Sequence, residues 1–221
     1  MASNRHHPSA SPDSTWFHVP TTAVTLWLLI STPLVLWDSG YVLCRPHSMP
    51  GGKWHALWSG YAWYSTVDYI YGWPAYNLQN GFTAAQTILN LIETAGYLYY
   101  LWIVYTQGRP AAGSREPRST LSWLLATDKV VGGRAGATAL LAAFSSSVGT
   151  VSKTLLYWIQ EYYSGFSNIG HNEFWNMAAW LLLNGAWIVF PIWNLHVLGE
   201  EIVSSLTDGN PPRQLGRPKE Q

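Results

Sequence analysis

The sequence predicts an all-α, polytopic integral membrane protein, a five-helix transmembrane bundle around an internal polar and aromatic cavity. Three observations carry that prediction. Charged residues make up 11% of the 221-residue chain and hydrophobic residues 48%, whereas soluble domains average about 25% charged. Five apolar stretches run along the chain, each near the ~20 residues that a spanning helix needs. Inside those stretches the polar residues recur at helical spacing, which gives each helix one face that hydrocarbon cannot satisfy.

Taken in order, residues 1–20 (MASNRHHPSASPDSTWFHVP) are polar and read as a disordered tail. They lack the apolar core and small-residue cleavage site of a signal peptide. The apolar segments follow at residues 22–43, 56–73, 83–105, 136–159 and 174–198, the second being the shortest and most polar. Linkers lie between the first and second segments (45–53) and between the third and fourth (108–120). A polar tail begins at residue 207. The expected organisation is therefore a tail over 1–20, one five-span domain over 21–206 and a cytosolic tail over 207–221. Mean hydropathy is near zero because of 14 Trp and 13 Tyr, side chains that suit interfaces and aromatic-lined cavities.

With five spans, one side of the membrane carries only Arg5. The other carries Arg45, Lys53, Arg109, Arg115, Arg118, Lys129, Arg134, Arg213, Arg217 and Lys219. Basic residues accumulate on the cytosolic side, so this reading puts the C-terminus in the cytosol and the N-terminus in the lumen. Lys153 falls inside the fourth segment, where it pairs with an acid or snorkels to the interface.

Several function classes are excluded. Net charge is zero and the basic residues form no stripe, so nucleic acid is not an expected partner. Cys44 is the single cysteine, which excludes an internal disulfide and a cysteine-based metal site. No H-E-x-x-H spacing, phosphate loop or nucleophile elbow occurs, and neither metal nor cofactor is expected. The expected partners are a lipophilic small molecule, membrane lipid and, as an assembly, a second copy of the chain.

The chemistry-bearing residues lie on three faces. Gln86, Asn90, Glu93, Tyr97 and Tyr100 follow one stripe of the third segment, and Tyr61, Tyr64, Asp68 and Tyr71 one stripe of the second. Asn176, Trp180, Asn184, Trp187 and Pro191 do the same on the fifth. An acid inside a span costs roughly 2.5–3.5 kcal/mol on insertion scales and marks a functional site. A buried amide can be interhelical glue worth about 0.6 kcal/mol. A carboxyl adds nothing to that role and is the more expensive choice, which singles out Glu93; Asp68 is intermediate, because a position near the interface would let water solvate it. His171, after Gly170 in a short loop, reads as a turn or interface residue.

Those residues resemble the emopamil-binding protein family, the EXPERA-domain sterol isomerases. The likeness is carried by SVGTVSKTLLYWIQEYYSGF, by Gly170–His171, by NGAWIVFP from Asn184, by LIETAGY around Glu93 and by TVDYIYGW around Asp68. It covers roughly residues 55–200. The resemblance implies a cofactor-free isomerase or cyclase of the endoplasmic reticulum membrane, acting on a sterol, terpenoid or polyketide-type lipid, in a specialised metabolite pathway. It implies Glu93 as proton donor and Asp68 as return base, with Asn184 and Trp187 completing the catalytic set. Tyr64, Tyr71, Asn90, Tyr97 and Trp180 would bind substrate. Tyr64 stands where the family has a histidine and Gly96 where it has a threonine, changes that suggest a reshaped pocket. The alternative expectation is a non-catalytic sterol- or lipid-binding membrane protein.

Overall fold

The computed structural model of the chain describes residues 16–111, 119–125 and 129–208. A short strand β1 (Phe17–His18) leads into helix α1 (Thr22–Leu43), whose first turn is capped by the Thr21 side chain accepting from the Val24 amide. A broken segment follows: a 3-10 turn over His55–Trp58, helix α2 (Tyr61–Val67), a 3-10 turn over Tyr69–Tyr71 and helix α3 (Trp73–Asn77). Then come α4 (Phe82–Gln107), β2 (Arg109–Pro110), α5 (Thr120–Leu125), β3 (Lys129–Gly132), α6 (Gly133–Tyr163) and α7 (Phe174–Asp208).

The four long helices alternate in direction. Val24 and Leu28 near the start of α1 pack with Leu101 and Val104 near the end of α4. At the opposite end, Arg45 Nη2 donates to Thr83 Oγ1 at 2.7 Å. Between α4 and α6, Tyr99 meets Thr138 (2.9 Å) and Gln86 meets the Lys153 carbonyl (3.2 Å), again antiparallel. Tyr157 of α6 stacks on Trp180 of α7 with ring centroids 6.0 Å apart, which reverses direction once more.

Polar residues join the apolar core inside this bundle, and its outside is apolar. Asp68, Ser147 and Thr87 are fully or almost fully buried, while Ile92 is 65% and Leu182 76% exposed. Water would not tolerate so continuous an apolar exterior, but hydrocarbon does. The chain is therefore a membrane protein. Three described helices are long and apolar enough to cross a bilayer: Thr22–Leu43, Gly133–Tyr163 and Phe174–Thr207. At 26 residues, α4 spans about 39 Å on the helical rise, but its polar stripe makes it less apolar.

The structure corrects four expectations. Residues 56–73 do not form a spanning helix. At Asp68 the backbone turns extended (φ −127°, ψ 102°) and its carboxylate accepts from the Ile70 amide, a local bond that competes with the helical ladder. The segment also begins and ends beside the same part of α1. Trp58 Nε1 donates to the Trp37 carbonyl (2.8 Å), and Tyr41 Oη to the Tyr71 carbonyl (2.8 Å). It caps one end of the bundle and does not traverse it.

With an even number of long helices, the two ends of the described chain meet at one end of the bundle, where five traversing helices would have put them at opposite ends. Trp16 Nε1 donates to Ser205 Oγ (2.7 Å), and the His18 ring is bonded to Glu201 (2.8 Å) and Tyr100 (3.1 Å). Those bonds also hold residues 16–20, which were expected in the tail; residues 1–15 and 209–221 lie outside the described residues. Finally, the fold is not wholly helical. β1, β3 and β2 form a small antiparallel sheet in that order, Phe17 opposite Gly132 and Arg109 opposite Val130, at the end where the chain's two ends meet. Lys129 of β3 is buried and donates to the Trp123 carbonyl (2.6 Å) and to that of Leu124, capping α5.

Candidate functional site

Close packing between α4 and α6 sets the geometry of the site. A Cβ on Gly96 would collide with Ser146 Oγ, and one on Gly149 would come within 3.1 Å of Glu93 Oε1. Small residues let these two helices approach closely, and Gly96 is one of them. The close approach brings Glu93 to Lys153.

Farther from the sheet the helices separate around a cavity of about 400 Å³, within the range of small-molecule sites. Gln86 and Asn90 of α4, Lys153 and Tyr157 of α6, and Asn184 and Trp187 of α7 line its inner side. The broken segment supplies an aromatic wall of Tyr61, Tyr64 and Tyr71. Tyr61 stacks on Tyr41 at 3.7 Å, and Tyr64 meets Tyr71 edge-on at 5.3 Å. Leu34, Trp37, Trp63 and Leu183 also line the cavity yet are 42–46% exposed. They form a mouth that opens on the apolar flank between α1, α2 and α7.

Of the nine site residues expected from the sequence, Tyr64, Tyr71, Asn90, Asn184 and Trp187 line this cavity. Asn184 Nδ2 donates to Tyr64 Oη (3.2 Å) and to the Trp180 carbonyl (2.9 Å), so amide and phenol hold each other across two elements.

Glu93 and Tyr97 face an adjoining compartment of about 10 Å³, shared with Asn90, Lys153 and Trp187 and too small for an organic ligand. There Glu93 Oε2 accepts from Lys153 Nζ (2.9 Å) and Thr150 Oγ1 (2.8 Å), and Lys153 also donates to Asn90 Oδ1. Tyr97 Oη meets Thr150 (3.0 Å) and Ser147 (3.3 Å). The pairing of Lys153 with an acid is the one its sequence position suggested. It makes Glu93 an ion-paired carboxylate set behind the cavity.

Asp68 reaches neither space. It is completely buried, with Oδ2 accepting from Tyr157 Oη and Trp180 Nε1 (2.6 Å) and Oδ1 from the Ile70 amide (3.2 Å). Three donors occupy it, and Tyr157, which lines the cavity, stands between it and that space. The geometry therefore gives Asp68 and Trp180 a positioning role, since their bonds hold the broken segment against α6 and α7. His171 is a turn residue as expected, stacked on Tyr69 at 3.8 Å and bonded to the Thr66 carbonyl (2.7 Å).

Sequence reasoning missed Asp38, which lines the cavity and accepts from Tyr61 Oη. It also left out Tyr157, and it placed Tyr61 on the inward stripe without a role in the site. Asp38 was visible as an acid near the end of an apolar segment, where interfacial water would satisfy it. Only the folding of residues 55–77 over the end of α1 encloses it. No family model, curated protein or solved structure matches this chain.

Proposed function

We propose that the chain is a membrane-embedded isomerase or cyclase of the emopamil-binding protein type, acting without a cofactor on an uncharged sterol, terpenoid or polyketide-type lipid. The observation that carries this reading is the cavity: an apolar mouth toward the lipid side, an aromatic wall, and the polar groups gathered at its inner end. Such a space admits a lipid laterally and holds a cation formed from it. Trp187, Tyr64 and Tyr71 line the space where that cation forms, and a ring face turned to a cation is worth about 2 kcal/mol or more when water is excluded. Asn184, fixed by Tyr64, orients an oxygen or double bond. The Lys153–Glu93 pair with Asn90 gives the inner end a fixed polar pole.

All four long helices then cross the membrane of the endoplasmic reticulum, with both termini in the cytosol. Arg109, Arg115, Arg118, Lys129 and Arg134 belong to the connection at the sheet end, and Arg5, Arg213, Arg217 and Lys219 to the chain ends. Only Arg45 and Lys53 belong to the opposite connections.

A second reading, a lipid-binding protein without catalysis, is favoured by the ion-paired Glu93 and the caged Asp68. One comparison separates the two. Lipids are extracted from membranes with and without the full chain after incubation in deuterated water. An enzyme of this kind produces an isomer of unchanged composition that carries one non-exchangeable deuterium. A lipid that copurifies one-to-one without change supports the binding reading, and neither result defeats both.

A further inference from the structure

Five buried or half-buried carboxyl groups are described within the bundle and its ends, and four of them lie outside the lining of the large cavity. Glu93 is held by Lys153 and Thr150, and Asp68 by Tyr157, Trp180 and the Ile70 amide. Glu161 caps Asn168 (2.6 Å), and Glu201 binds His18 at the sheet end. The fifth, Asp38, is the carboxyl in the lining of the large cavity.

We propose that Asp38, held by Tyr61, is the acid–base group that meets the substrate. The proposal rests on the enzymatic reading above and deepens it by moving the chemistry from the inner end of the cavity to the wall formed by α1. Tyr61 is itself buried, its ring clamped on Tyr41 at 3.7 Å, and its hydroxyl donates to Asp38 Oδ1. That bond fixes the rotation of the carboxyl, and positioning of this kind is what a general acid needs. Leu34 and Trp37, on the same face of α1, line the mouth, so a lipid entering from the flank passes Asp38 before it reaches Lys153.

In a double-bond shift the protonated Asp38 gives its proton to one alkene carbon. The π pair forms the new C–H bond, and the positive charge stays on the neighbouring carbon beside the tyrosine wall. The carboxylate left behind removes a proton from the adjacent carbon, whose C–H pair becomes the new double bond. One proton enters and one leaves, so no co-reactant is needed. The substrate class that fits is a neutral polycyclic or prenylated lipid with its reacting double bond toward α1.

Two measurements test this. The full-length chain in phosphatidylcholine vesicles is treated with N,N′-dicyclohexylcarbodiimide, an apolar reagent for carboxyl groups, and modified peptides are mapped by mass spectrometry. The expected product is an acylurea on Asp38 that disappears in Asp38→Asn. Modification of Glu93 or Asp68 with Asp38 untouched overturns the proposal. In the lipid-conversion assay, Asp38→Asn lowers turnover at least about 100-fold, the smaller contribution of a general acid, while Asp38→Glu keeps a measurable part. Full activity in Asp38→Asn overturns the role of Asp38 and leaves the enzymatic reading standing. No conversion by the wild-type chain overturns that reading and the proposal with it.

Discussion

Replacing Lys153 by methionine removes a buried cation while keeping the length of its stem, so the variant isolates the ion pair from packing. The Lys153 and Glu93 side chains are only 7% and 12% exposed, with 2.9 Å between Nζ and Oε2, so solvent screens the pair little. Removing one partner of such a pair costs about 3–5 kcal/mol, because the other charge stays buried without compensation. Thr150 Oγ1 still donates to Glu93 at 2.8 Å, which places the expected loss near the lower figure, about 3 kcal/mol. For a chain of this size each kcal/mol moves the midpoint by about 2–4 °C. Lys153→Met should therefore unfold roughly 6–12 °C below the wild type in detergent micelles, followed by tryptophan fluorescence. The double variant Lys153→Met, Glu93→Met restores most of that loss, since an apolar pair of similar volume replaces an ion pair at little or no cost. A single variant as stable as the wild type refutes the buried pair. So does a double variant no better than the single, because the coupling would then be absent.

Gly96→Thr drives a side chain into Ser146 Oγ and should cost about 1–3 kcal/mol, the usual penalty of overpacking. Pairing it with Ser146→Gly recovers stability in the same unfolding measurement. Tyr157→Phe removes one of the three donors to Asp68 and should cost about 1–3 kcal/mol. The loosening concentrates in the broken segment, so cleavage by an added protease appears there first. Glycosylation tags placed before residue 16 and after residue 208 should behave alike, because Trp16 and Ser205 are bonded across the two ends of the described chain; one tag modified and the other not would refute the proposed four crossings.

Much of this protein is legible without coordinates. Scarce charge and apolar stretches of spanning length announce the membrane, since insertion is decided locally, residue by residue, along each segment. The stripe from Gln86 to Tyr97 on α4 and the Asn184–Trp187 face of α7 point inward as their spacing implies, because helical periodicity alone sets which residues share a face. Lys153 meets an acid for the same reason that a charge in hydrocarbon must find a partner.

What local pattern could not decide is where the chain stops being helical and which inward residues share a space. Residues 56–73 are apolar enough to suggest a helix, yet Asp68 breaks it by bonding Ile70, Tyr157 and Trp180, two of which are distant in sequence. That break returns the segment to α1, makes the number of long helices even and brings both ends of the described chain to one end of the bundle. It also covers Asp38, turning an acid that looks interfacial into part of a cavity wall. Helices and their polar faces follow from short-range periodicity and were determined by the sequence itself. The number of long helices, the caging of Asp68, the pairing of Glu93 and the enclosure of Asp38 depend on contacts between residues tens of positions apart. Only the tertiary structure decides those, because each carboxyl takes whichever donors the packed helices bring within reach.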